Sequence, residues 1–335
     1  MRTPLVDTFG RVHRDLRISV TDRCNFRCTY CMPAEGMEWL PREEVLTFEE
    51  IERVARVCVE RFGFDSIRLT GGEPTVRARL PLLVAKLAAL DGPAGPVDIA
   101  LTTNGATLEL LADDLVAAGL RRINVSLDTL RPERFLALTR RDALGPVLTG
   151  IDAAVRAGLD PVKVNCVLMR GVNDDEVVDL ARYGRDHGVT VRFIEFMPLD
   201  ASGGWADDQV VPAAEIVARI DEVFPLEPLS AADRGSEPAA RWRYRDGRGE
   251  LGVIPTVTEA FCASCDRVRL TADGQLRSCL FATEETDLRG ALRAGASDDA
   301  LAELLRTTVA GKWAGHGVGT VTFIRPKRSM SQIGG

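Results

Sequence analysis

Histidine is nearly missing from this sequence: His13, His187 and His316 are the only three in 335 residues. A zinc site that needs imidazole therefore has few residues to draw on, and metal chemistry falls mainly to the eight cysteines. Long apolar runs are missing too. None approaches the roughly 18 residues of a membrane span, and the stretch MRTPLVDTFGRVHRDL has no apolar region of the signal-peptide kind. A cytoplasmic location is expected, where thiols stay reduced and clustered cysteines bind metal or do redox chemistry. A surplus of positive charge is also lacking. The net charge of −7 argues against a general nucleic-acid binder. Lysine supplies only four of the 42 basic residues, a compositional habit given no functional weight. No solenoid repeat or low-complexity segment occurs. No G-x-x-x-x-G-K-[ST] loop occurs either, which excludes phosphoryl transfer of the P-loop kind. What remains, 45% hydrophobic and 27% charged, is ordinary for a globular protein of one large or two modest domains.

Short β-rich runs recur at 15–20, 65–70, 97–103, 121–128, 161–169 and 189–197, separated by helical patterns. Such alternation implies parallel βα units. The clearest helix follows Thr47, where TFEE is a capping box with Glu50 at its third position. Ile51, Val54, Ala55, Cys58 and Phe62 then form an apolar stripe up to Gly63. Cys58 belongs to that stripe as a small buried hydrophobe. Along the strands one parity is polar (Arg17, Ser19, Arg68, Thr70, Thr102, Asn124, Ser126, Asp128, Lys163, Asn165). The other is apolar (Ile18, Ile67, Leu69, Ile123, Val125, Val164, Cys166). A doubly wound sheet covers both faces with helices and wants both parities apolar. Six units with one polar face suit an α/β fold of the incomplete (βα)6 barrel type, its lumen holding a polar ligand. Segments 200–208 and 229–241 read as loop or linker. They divide the chain into a partial barrel over 1–228 and a smaller region over 229–335.

Cys24, Cys28 and Cys31 form C-x3-C-x2-C on the loop after the first strand. A structural zinc site wants four protein ligands. A [4Fe–4S] cluster held by three thiolates leaves one iron open to a small molecule. Cys262, Cys265 and Cys279 repeat the shortage in the C-terminal region. A second three-thiolate cluster is the favoured reading there, and a Cys3His zinc site completed by His316 is the alternative. Arg17, Arg68, Lys163, Arg192, Arg267 and Arg269 face the lumen or stand beside a cysteine triad. Burying that many cations calls for an anion, and a nucleoside triphosphate would neutralise most of them.

The C-x3-C-x2-C motif with Tyr30 before its last cysteine, followed by GGEP (Gly71–Pro74) at the end of the second strand, resembles the radical S-adenosylmethionine (SAM) superfamily. The resemblance implies that SAM chelates the open iron and is cleaved to a 5′-deoxyadenosyl radical. Gly72 would meet the methionine amino group, and Tyr30, Ser126 and Met197 would line SAM. RDLRISVTDRCNFRCTYCMP, LTTNG, VRFIEFMPL, CASCDRVRLTADGQLRSCLF and the final IGG narrow the resemblance. They point to the branch of molybdenum cofactor biosynthesis whose members cyclise GTP, joining ribose C3′ to guanine C8. It implies two [4Fe–4S] clusters and assigns Arg17, Arg68, Thr102, Lys163 and Arg192 to GTP. Arg267, Val268 and Arg269 would lie beside the second cluster. Gly334 and Gly335, with no side chains, would thread into the active site next to Arg267 and Arg269 in a catalytic role. Ser66 departs from the lysine of some relatives, which would make the phosphate clamp one charge lighter. An electron donor such as a flavodoxin or ferredoxin, cyclic pyranopterin monophosphate synthase as the next enzyme, and a homodimer complete the expected partners. A different radical SAM enzyme with an auxiliary cluster, or a zinc or electron-transfer module, are the competing readings.

Overall fold

Thr47 caps the first long helix as its sequence predicts: its Oγ accepts from the Glu50 amide at 3.1 Å, and Glu50 Oε2 accepts from the Thr47 amide at 2.8 Å. That helix, α1 (Phe48–Phe62), ends at Gly63, whose φ of +74° favours glycine. The computed structural model describes residues 2–199, 203–230, 234–320 and 323–334. Six strands carry the predicted βα units: β1 (Asp15–Ser19), β2 (Ser66–Thr70), β3 (Asp98–Thr103), β4 (Arg122–Ser126), β5 (Val162–Leu168) and β6 (Thr190–Glu195). They pair in parallel in sequence order, with Arg17 opposite Arg68, Thr102 opposite Asn124, and Arg192 opposite Asn165. Register of this kind fixes which side chains share a face. Ile18, Ile67, Leu69, Ile123, Val125, Val164 and Cys166 are buried in the hydrophobic core. Burying each large aliphatic among them contributes about 1.5–3 kcal/mol. Cys58 on α1 lies in the same core.

The C-terminal region adds strands to both edges of this sheet. β9 (Glu250–Ile254) lies parallel to β6, and β10 (Arg267–Leu270) lies parallel to β1. Outside them, β7 (Leu226–Pro228) and β8 (Ala240–Tyr244) continue one edge, while β11 (Gln275–Arg277) and β12 (Thr286–Asp287) continue the other. The twelve-stranded order β7-β8-β9-β6-β5-β4-β3-β2-β1-β10-β11-β12 begins and ends on unpaired edges, so the barrel stays open. Two parallel strands thus join the six legible in the sequence. Each is short and bounded by loop-like composition, and each finds its partner only in the folded sheet.

Segment 229–241 is more than a spacer. Arg234–Pro238 line the lumen, held there by ion pairing and carbonyl contacts to lumen cations, and the chain then enters β8. Among the described residues no helix is long and apolar enough to cross a membrane.

Candidate functional site

The polar parity of the strands opens onto a cavity of about 740 Å³. Arg17, Arg68, Thr70, Thr102, Asn124, Ser126, Asp128, Lys163 and Asn165 line it, as the alternation predicts, whereas Ser19 of the same parity is buried and donates to the Thr21 carbonyl. Arg192, Arg267 and Arg269 complete the row of cations expected there. Cys24, Cys28 and Cys31 lie at the same cavity, at the C-terminal end of β1, together with Tyr30, Gly72 and Met197. Val268 differs: it is fully buried in the hydrophobic core, while Arg267 and Arg269 on either side of it face the cavity.

Cys24, Cys28 and Cys31 stand near enough to feel one another's charge. Burial pushes Cys24 up to about 11 and Cys31 to about 12, and raises Cys28, which also feels the charges of Cys31 and Cys24. Ligation would release those protons. The turn after β2 packs against this loop with no room for side chains. A Cβ on Gly72 would lie 2.4 Å from the Asp22 carbonyl oxygen and 2.5 Å from that of Arg23, and one on Gly71 would lie 2.6 Å from the Thr21 carbonyl oxygen. Glu73 ties the turn to the LTTNG loop: its carboxylate accepts from Thr103 Oγ and the Asn104 amide, both at 2.6 Å, and from Thr75. Burial raises the Glu73 pKa despite these donors. Tyr30 donates to Asp128 Oδ2 at 2.6 Å, and burial pushes Asp128 up to about 6.

The cations of the opposite end are only partly paired. Asp15 lies 3.5 Å from Arg17 and 3.8 Å from Arg267. Burial alone would raise Asp15, but Arg17, Arg68, Arg267 and Arg269 hold it below the usual carboxylate range. Lys163 donates to Glu237 at 2.7 Å. Arg192 uses neutral partners, the Asn165 and Asn124 amide oxygens. Arg269 donates to the Gly334 carbonyl at 2.6 Å, and burial with the repulsion of Arg17 lowers it to about 9. Arg68 is pushed far down by burial and Arg17, and its buried Nε has no hydrogen-bond partner. Among the described residues Arg68, Arg192 and Arg269 make no ion pair with a carboxylate. Ser66 stands where a clamp cation was expected to be missing, and Arg122 on β4, two strands away, lines the cavity there, donating to Asp98 on the intervening β3 and reaching Ser66 Oγ at 3.4 Å.

The second triad lies behind the cations. Arg267 faces Cys265 Sγ at 3.8 Å, stacks over Phe261 and donates to the Ser236 carbonyl at 2.8 Å. Cys262, Cys265 and Cys279 are half-buried. Among the described residues no three His, Cys, Asp or Glu side chains converge tightly enough to hold a single metal ion, so His316 completes no Cys3His site. His316 instead packs on Phe281. Three thiols in each triad match the ligand number of a [4Fe–4S] cluster with one open iron. The C-terminal helix Met330–Ile333 carries the tail in. Gly334 sits where a Cβ would be 2.4 Å from Thr70 Oγ, and Gly335 lies outside the described residues. Lys312, Glu237 and Glu195 are site-supporting residues that carried no signal in the sequence, because only the fold brings them to the cavity or the triads.

Comparison with known proteins agrees with this geometry. Residues 18–184 match the family model of the radical SAM superfamily and residues 189–318 that of Molybdenum Cofactor Synthesis C. Over 331 residues the chain is 52% identical to a Streptomyces coelicolor protein named GTP 3′,8-cyclase, spanning 99% of this chain and 96% of the relative. A Corynebacterium glutamicum protein of the same name is 51% identical over 337 residues, with 99% and 89% covered. Among solved structures, Streptococcus suis SuiB bound to S-adenosylmethionine superposes with a TM-score of 0.57 at 14% identity, over 88% of this chain and 68% of that one, a likeness of fold alone.

Proposed function

The chain belongs to the GTP 3′,8-cyclase family of radical SAM enzymes, and on that premise we propose how its residues divide the work. It is an enzyme of molybdenum cofactor biosynthesis that uses [4Fe–4S] clusters and SAM and acts on GTP. When bound, the N-terminal cluster and SAM supply the hydrogen-abstracting radical, through which ribose C3′ becomes joined to guanine C8. Cys24, Cys28 and Cys31 hold that cluster. The Gly71–Gly72 turn offers backbone to the methionine end of SAM, and Tyr30, Ser126 and Met197 wall the rest of it. Arg17, Arg68, Lys163 and Arg192 take the triphosphate, and Thr102 takes part in the same pocket. Cys262, Cys265 and Cys279 hold the second cluster, with Arg267 and Arg269 positioning the reacting nucleotide before it and Gly334–Gly335 closing the pocket.

The observation that carries this reading is one cavity with thiols at one end and incompletely paired cations at the other. A polyanion bound by the cations points its nucleoside toward the thiols. The chain's contribution is positioning and water exclusion, holding two carbons in contact while a radical exists. We assign residues 1–228 to the partial barrel and 229–335 to the auxiliary-cluster region. A cytoplasmic setting, a flavodoxin- or ferredoxin-type donor, hand-over to cyclic pyranopterin monophosphate synthase and a homodimer belong to the same proposal. The test is anaerobic reconstitution to about eight irons per chain, followed by SAM and dithionite with GTP or ATP. 5′-Deoxyadenosine and a cyclised guanine product with GTP alone are expected. Deoxyadenosine formed equally with every nucleotide would overturn the substrate assignment.

A further inference from the structure

The helix Asp298–Ala310 ends at Gly311 and delivers Lys312, one of the chain's four lysines, beneath the start of β10. Lys312 is 4% exposed. Its ammonium donates to the Arg267 carbonyl at 2.8 Å and lies 3.4 Å from the Cys265 carbonyl and 3.5 Å from Cys265 Sγ. Among the described residues no carboxylate pairs with it. Burying an ammonium without an anion is heavily disfavoured, and the groups whose negative charge favours the charged form of Lys312 are the sulfurs of Cys265 and Cys279.

We propose that Lys312 is a positioning residue for the auxiliary cluster: its fixed positive charge, applied through the Cys265 sulfur, raises that cluster's reduction potential above that of the SAM-binding cluster. The proposal rests on the reading of Cys262, Cys265 and Cys279 as ligands. One-electron reduction of a cluster adds one negative charge and requires no proton from Lys312, so a neighbouring cation favours the reduced state. Net charge and hydrogen bonds to sulfur are the protein's means of setting such potentials. The geometry supports this: the Lys312 ammonium at 3.5 Å and the Arg267 guanidinium at 3.8 Å both stand against the Cys265 sulfur.

The test is an EPR-monitored redox titration of the reconstituted holoenzyme and of its Lys312→Met, Lys312→Gln and Lys312→Arg variants. The SAM-binding cluster serves as the internal control. For Met and Gln the reduced-to-oxidised ratio of the auxiliary cluster at fixed potential should fall about tenfold or more, which for a one-electron couple is about 59 mV. The Arg variant should stay near wild type, and the control should not move. An unmoved auxiliary midpoint in a Met or Gln variant that retains about eight irons would overturn the proposal. Should Met and Gln both lose the auxiliary cluster while Arg keeps it, the requirement for charge is upheld; loss in all three would assign Lys312 a structural role instead. Wild-type protein holding only about four irons would overturn the ligand reading itself, a failure separate from the others.

Discussion

Lys163 already has a carboxylate partner before any substrate arrives. Burial lowers its pKa and so does the repulsion of Arg192, while Glu237 at 2.7 Å opposes both. A triphosphate that binds Lys163 must displace that carboxylate or share the lysine with it. Lys163→Ala and Arg17→Ala should each raise the KM for GTP about tenfold or more, given about 1.5–3 kcal/mol for a charged hydrogen bond. Glu237→Gln should act in the opposite direction and lower that KM about threefold or more. Steady-state kinetics on the three variants checks both signs, and unchanged values would remove these residues from the phosphate site. Gly72→Ala tests the other end of the cavity. Its methyl would have to displace the backbone of Asp22 and Arg23, so SAM affinity by calorimetry should be lost while Arg17→Ala retains it. The thiols and the arginines were legible because few residue types do their chemistry and the strand period sorts them onto one face. Glu237 and Lys312 were not. A single acid in a Gly- and Ser-rich stretch, or a lone lysine after a helix, has no pattern until the fold gives it a neighbour. Val268 lies between two cavity arginines in sequence, yet strand alternation turns its side chain into the core.

Elements are lashed together by buried acids at strand ends. Glu195, the last residue of β6, is fully buried and accepts from the Ala213, Val257 and Thr258 amides at 2.8–2.9 Å and from Thr258 Oγ at 2.5 Å. It joins the barrel to the segment leading to Cys262, as Glu73 joins the Gly71–Gly72 turn to the loop after β3. Glu195→Ala would leave several buried amides without acceptors, at a cost of about 3–5 kcal/mol. The thermal midpoint should fall and the auxiliary cluster should be lost before the N-terminal one, as iron analysis and EPR would register. The tail is a second such element. Chain truncated after Ile333 loses the carbonyl that Arg269 holds, and product should disappear while about eight irons remain; full activity would return the tail to a frayed end. The capping box and six strands were readable because each is a local signal. β9 and β10 were not, because their parallel partners lie far away in sequence and the pairing is a property of the folded sheet.

At the scale of the whole molecule, stability has a pH dependence rooted outside the cavity. Leu5–Val6 and Val12–His13 form a small antiparallel ribbon whose turn holds Asp7 against Arg11 and His13. Arg11 in turn reaches the Cys262, Trp313 and Ala314 carbonyls, pinning the ribbon to the C-terminal region. His13 is fully buried, and burial followed by the positive charge of Lys312 lowers it to about 4. Burial would raise Asp7, but hydrogen bonds from Arg11 and His13 bring it down to about 2. In the unfolded chain these groups titrate near their ordinary values, about 6.5 and 3.9. Between roughly pH 6.5 and 4 the unfolded state therefore binds the extra proton at His13. That residue's contribution is complete above the window and falls away as pH drops through it, by at most about 3 kcal/mol. The loss from Asp7 begins only below about pH 4. Thermal melts of the holoenzyme at pH 7, 6 and 5 should show the midpoint falling on acidification. His13→Gln, which has no proton to gain, should fall less. The comparison between the two proteins cancels any acid sensitivity of the clusters, so equal slopes would show that His13 is not held neutral by the fold.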